Sequence, residues 1–194
     1  MTHERRSVTE PAAVQRFRSL YEAHRRDVLC YFLRRVDAES AHDCTDEVFL
    51  TAWRRLNEVP GDDGSRPWLF GVAHKVLLNQ QRSLRRHRRL IGRLAGERPQ
   101  SEQGPEAQVM IQAGRHRVDE ALAHLSTADQ EVLRLAYWEE LSHADIGRIL
   151  GCSTGAVDVR LHRATRRLGK GLERTGHVGS GRPAVLPDQG GESC

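Results

Sequence analysis

The stretch LSHADIGRILGCSTGAVDVRLHRATRRL, residues 141–168, carries the side chains best suited to chemistry with an anionic polymer. Counted at 100° per residue, Val157, Leu161, Ala164 and Leu168 fall on one apolar stripe. The opposite side presents Gly155, Val159, His162, Arg163 and Arg166, with Asp158 and Thr165 on one flank and Arg160 and Arg167 on the other. From Arg160 to Arg174 six positive side chains stand against one acid, Glu173. Arginine forks grip phosphate and guanine bidentately. A helix fits the DNA major groove, with its first turns at the base edges and later residues at phosphate or guanine. The plainer reading is an ordinary helix pair with a solvated basic face.

Two start signals and one stop frame this face. Ser142 with Asp145, like Ser126 with Asp129, fits the Ser-x-x-Asp variant of a capping box. Leu141, Ile146, Ile149 and Leu150 make a short apolar stripe, and Gly151 suits the left-handed residue that ends a helix. A second helix starts after Ser153. Two helices joined by a tight glycine turn make a helix-turn-helix.

Upstream, helical periodicity dominates and strand alternation is hard to find. Phe17, Leu20, Tyr21, His24, Val28 and Phe32 predict an amphipathic helix over 14–35. Cys44, Val48, Phe49, Ala52 and Leu56 predict a second over 38–56. NEVPGDDGS, 57–65, reads as a loop. Ser65 then offers an N-cap and Pro67 a first turn for a third helix, with Leu69, Val72, Ala73, Val76 and Leu77 buried. RSLRRHRRLIGR, 82–93, has six Arg and no acid. The composition of 96–108 is that of a linker, and 176–194 is a Gly/Pro-rich tail expected to be disordered.

With 38% apolar and 29% charged residues, the chain suits two small cores better than one large one. The net charge of +4 leans towards an anionic partner. Lys75 and Lys170 are the only lysines, a bias that a G- and C-rich genome would also produce. No stretch reaches the roughly 18 apolar residues of a membrane span. The start, MTHERRSVTEPAAV, lacks a signal peptide's apolar core, so a cytoplasmic location is expected. Cys30, Cys44, Cys152 and Cys194 show no CxxC pair and no framework, which predicts reduced thiols. His42, His143 and His162 have no partner at zinc-ligand spacing. GDDG at 61–64 lacks the Lys and Ser/Thr of a phosphate loop, and no nucleophile motif is present. No metal, cofactor or catalytic residue is expected, and the chain does not read as an enzyme.

DCTDEVFLTAWRRL at 43–56, RPWLFGVAHKVLLNQQR at 66–82 and LSTADQEVLRLAYWEELSHADIGRILGCSTGAVDVRLHRATRRL at 125–168 together resemble a bacterial RNA polymerase sigma factor of the extracytoplasmic-function group. The resemblance covers roughly residues 14–174. It implies an all-α fold of two small helical domains: region two over 14–95, a flexible linker over 96–114, region four over 115–175, and the tail 176–194. It implies binding to core RNA polymerase through its clamp and flap regions, recognition of minus-ten and minus-thirty-five promoter elements, and help in opening the duplex. An anti-sigma factor is the other implied partner.

Residue by residue, the resemblance puts polymerase binding on Asp43, Asp46, Glu47, Phe49 and Trp53. It puts minus-ten contacts on Asn57, Trp68, Lys75, Asn79 and Arg82, where one base is flipped out of the stack. Aromatics at this spacing are more often core; Phe70 reads that way and Trp68 stays open. Minus-thirty-five contacts fall on Ser153, Gly155, Ala156, Asp158, Val159, His162, Arg163 and Arg166. Two positions depart from the group's pattern: a Lys or Arg is common where Asp158 stands, and Ala where Gly147 stands. An Asp there accepts from cytosine N4 or orients a neighbouring Arg. The competing class is a free-standing dimeric helix-turn-helix regulator. A weaker reading is an RNA-binding protein using the Arg run. The acidic, aromatic helix 43–56 followed by WLFGVA is what an operator-binding dimer would not need.

Overall fold

Residues 10–95 and 113–174 are described by the computed structural model of the chain. Within them the order is α1 (Glu10–Leu33), α2 (Ala38–Arg54), short 3-10 turns at Leu56–Glu58 and Asp62–Gly64, α3 (Ser65–Ala95), α4 (Ala113–Ala123), α5 (Thr127–Tyr137), α6 (His143–Leu150) and α7 (Thr154–Arg174). The described residues contain no strand. The chain divides into two units between Glu106 and Ala107. The expected linker 96–114, up to Gln112, and the tail from Thr175 lie outside the described residues.

In the first unit α1, α2 and α3 pack on one another. The stripes read from the sequence become the core: Val28, Phe32, Val48, Ala52, Leu69 and Ala73 are at most 1% exposed. Phe70 belongs to this core, its ring 5.7 Å from that of Tyr31. Tyr31, also fully buried, adds a residue that the sequence reading left out. Asp37 caps α2 by accepting from the Ser40 N–H at 2.9 Å. Those hydrogen bonds hold its carboxyl below the usual range. The expected loop 57–65 is shorter and tighter than a free loop, since two 3-10 turns occupy most of it. Its ends are tied to α1. Arg16 donates to the Val59 carbonyl at 2.5 Å, His24 Nε2 meets Ser65 Oγ at 3.1 Å, and Arg66 meets Asp27 at 3.0 Å. Ser65 is the first residue of α3, and its hydroxyl serves the tie to His24. The Arg run is no separate element, because α3 continues through it to Ala95.

In the second unit α7 packs against α4, α5 and α6. Ser126 accepts from the Asp129 N–H, but the buried Asp129 carboxylate pairs with Arg167 and so ties α5 to α7. Ser142 caps α6 at 3.1 Å, and Gly151 closes it at φ 68°. Position 147 is tighter than either signal suggests. A Cβ there would sit 2.8 Å from the Cys152 carbonyl oxygen, while Cys152 N–H donates to the Gly147 carbonyl at 2.9 Å. The glycine that departs from the usual Ala is what lets the turn close.

Cys44 and Cys152 carry free thiols, but Cys30 is disulfide-bonded. The expectation of reduced thiols fails at Cys30. Cys194 lies outside the described residues. No described helix is long and apolar enough to cross a membrane.

Gly147→Ala is expected to destabilise the second unit by about 1–3 kcal/mol, since backbone rather than a flexible side chain must move. Gly155→Ala, with open space around it, is expected to stabilise α7 by about 0.5–1 kcal/mol. Thermal melting of the two variants beside the parent checks both signs.

Candidate nucleic-acid interface

The exposed face of α2 is built from a rhythm of acids and apolar residues. Asp43, Asp46 and Glu47 are exposed, while Val48 and Ala52 face the core. With Phe49, Leu50 and Trp53 they line an open groove of about 600 Å³ whose far wall is Phe17 of α1. All five expected polymerase-binding residues therefore meet at one place. Phe17 and Leu50 were missed, as was Tyr21 beneath them. Phe17 and Tyr21 are spaced like core residues, and sequence does not show that Phe17 lies beside an exposed tryptophan. The Phe17 ring stands edge-on to Trp53 at 5.2 Å, and Tyr21 edge-on to Phe49 at 4.8 Å. Phe49 is the buried floor, at 3% exposed, whereas Leu50 (47%) and Trp53 (43%) remain open. Exposed apolar surface rimmed by carboxylates suits a protein partner and repels phosphate.

Cys44 sits under this acid face. Burial first, then Glu47, Asp43 and Asp37, push its thiol up to about 11.

On α3, Trp68, Lys75, Asn79 and Arg82 share one stripe about 60° wide, which Arg86 extends. Lys75, Asn79, Arg82 and Arg86 are exposed, and Trp68 is half-buried. Asn57 stands apart from that stripe, exposed in the 3-10 turn Leu56–Glu58. The link between them is Arg55, missed by the sequence reading. Its guanidinium lies 5.8 Å from the Trp68 ring centre and is paired with Glu58. A cation on a tryptophan face steadies a ring against which a base can stack.

On α7 the apolar stripe divides: Val157 and Ala164 are fully buried, Leu161 and Leu168 half-buried. Gly155, Ala156, Asp158, Val159, His162, Arg163 and Arg166 are all exposed. Val159 is 49% exposed, so the opposite face is open to a groove. Ser153, also exposed, caps α7 by accepting from the Ala156 N–H at 3.2 Å, which uses one lone pair of its hydroxyl. Among the described residues Asp158 pairs with a histidine and not with an arginine. Its Oδ1 lies 2.5 Å from Nδ1 of His143, the first residue of α6. Fifteen positions from Asp158, His143 offers no spacing signal in the sequence. Among the described residues no group of three or more His, Cys, Asp or Glu could hold a metal ion.

Two family models match the chain: Sigma-70 region 2 over residues 20–103 and Sigma-70 region 4 over residues 115–168. The ECF RNA polymerase sigma factor SigL of Mycobacterium tuberculosis is 35% identical over 162 residues, covering 82% of this chain and 90% of that protein. Among solved structures, CnrH in complex with the cytosolic domain of CnrY has a TM-score of 0.57 at 25% identity, covering 84% of this chain and 95% of that one. CnrH is an RNA polymerase sigma factor of Cupriavidus metallidurans. The sigma factor RpoE of Bartonella quintana, in complex with the anti-sigma factor NepR, shares the fold at a TM-score of 0.62 and 21% identity, covering 83% and 98%.

With its thiol buried and held protonated below about pH 11, Cys44 is expected to resist a thiol reagent at pH 8 while half-buried Cys152 reacts. In denaturant both should label. Mass spectrometry of the labelled peptides decides it, and equal native labelling would contradict the burial argument.

Proposed function

This chain belongs to the extracytoplasmic-function group of RNA polymerase sigma factors, and from that membership we propose how its surfaces divide the work. It binds core RNA polymerase, recognises promoter DNA at two elements and starts transcription of a particular set of genes. The polymerase forms the phosphodiester bonds, so the chain itself is a specificity subunit and not an enzyme. That work belongs in the cytoplasm, where polymerase and gene meet.

The observation that carries the division is the charge segregation between α2 and α7. The α2 groove, with Asp43, Asp46 and Glu47 around Phe49 and Trp53, receives a helical surface of the polymerase clamp. The stripe Trp68, Lys75, Asn79 and Arg82, with Asn57 beside it, takes the non-template strand of the minus-ten element. Trp68 steadies the strand while one base leaves the stack, so that melting costs local unstacking rather than separation of the whole site. The exposed face of α7, from Ser153 to Arg166, enters the major groove of the minus-thirty-five element. The regions 14–95 and 115–175 act as the two reading heads. The second partner is an anti-sigma factor; the support is CnrH, solved in complex with the cytosolic domain of CnrY.

Purified core polymerase lacking any sigma subunit, given this chain and promoter templates, is expected to yield promoter-dependent run-off transcripts. No transcript, together with tight operator binding by the chain alone, would favour the free-standing regulator instead. Trp53→Ala and the double variant Asp46→Arg with Glu47→Arg are expected to weaken core binding by about tenfold or more, the double variant with an unchanged melting temperature because Asp46 and Glu47 are exposed. Arg163→Ala or Arg166→Ala, if its guanidinium contacts phosphate, lowers the salt slope of promoter binding by about 1 and affects all sequences alike.

A further inference from the structure

We propose that His143 is a positioning residue for Asp158, and that the pair reads a cytosine through its N4 amine in the upstream promoter element. The inference rests on α7 being the minus-thirty-five reader and adds the chemistry of one base to it.

A carboxylate on a DNA-facing helix is a liability against phosphate and against most base edges. In the major groove guanine presents the acceptors N7 and O6, and thymine presents O4. Adenine offers its N6 amine, but beside the N7 acceptor, which repels a carboxylate. Cytosine alone presents a donor with no acceptor on its own groove edge. An Asp at a reading position therefore has one favourable partner among the four bases.

Geometry supports a carboxylate held ready for it. Asp158 stands in the second turn of α7, on the flank of the exposed face that carries Val159, His162 and Arg166. His143, from the neighbouring helix, contacts Oδ1 at 2.5 Å. An ionised carboxylate accepts through both oxygens, so Oδ2 keeps its capacity for a base amine. Both side chains remain about half exposed, at 46% and 55%, so the pair is open to a ligand. A tether from α6 matters because Asp158 and His162, four apart on α7, are neighbours by helical spacing. Held by His143, the carboxylate stays on its flank. The pair also couples the two helices of the motif at its groove side.

The test uses the full chain with core polymerase and a promoter library randomised across the minus-thirty-five element, with transcripts sequenced. The parent is expected to favour cytosine at one position by about tenfold. Asp158→Ala should reduce that position to near-equal use of the four bases and leave the others as they were. His143→Ala should weaken the same position several-fold, and His143→Asn, which keeps an N–H donor near the place of Nδ1, should restore it. Melting curves matched to the parent show that each variant is folded. Transcripts whose base preferences are identical for parent and Asp158→Ala overturn the proposal. So does His143→Ala if it spares that position or weakens every position equally, the mark of a merely structural link. No transcript from the parent overturns the sigma reading of α7 and the pair's role with it.

Discussion

The backbone approach at Gly147 is the constraint on which the helix pair α6–α7 of the second unit depends. The last turn of α6 and the turn that follows it meet where any side chain would collide with the Cys152 carbonyl. Closing that gap lets Cys152 N–H reach the Gly147 carbonyl and lets Gly151 reverse the chain in the left-handed region. The direction of α7 is set by these few backbone contacts. The link from buried Asp129 to Arg167 then fixes the same helix further along. Side chains at the groove are only as well placed as that turn allows.

The first unit solves a different problem, which is to hold acidic and basic faces on one three-helix core. The acids lie on the outward side of α2 and the exposed basic residues on α3. Between them lies a largely apolar core. The loop joining α2 to α3 is pinned to α1 by Arg16 and His24, so Asn57 is carried on a braced segment. Burial lowers the pKa of His24, and a protonated ring would have to be accommodated at that brace.

Most of the fold was legible because amphipathic helices write their buried face into the spacing of apolar residues. The stripes of α1, α2 and α3 needed only counting, and Ser142 and Gly151 gave the ends of α6. Other features were not legible because they depend on pairs brought together only in space. Arg55 on Trp68, Phe17 beside Trp53 and His143 on Asp158 join residues whose sequence separation follows no rule. Ser65 and Asp129 show a related limit: each matched a cap pattern, yet its side chain engages another helix instead. The glycine at 147 was visible as a departure from the family, but its cause lies in a carbonyl five residues away.

The unbroken run of α3 from Ser65 to Ala95 has a mechanical consequence. At about 1.5 Å per residue it is a rod roughly 46 Å long. Its first half is clamped in the core, and its second half inherits that orientation with nothing between to absorb an error. One residue inserted midway would swing everything beyond it through about 100°. The exposed basic residues beyond it would then point elsewhere, although the core itself stayed intact. Exposed side chains along this shaft can be exchanged one at a time, but its length cannot easily change.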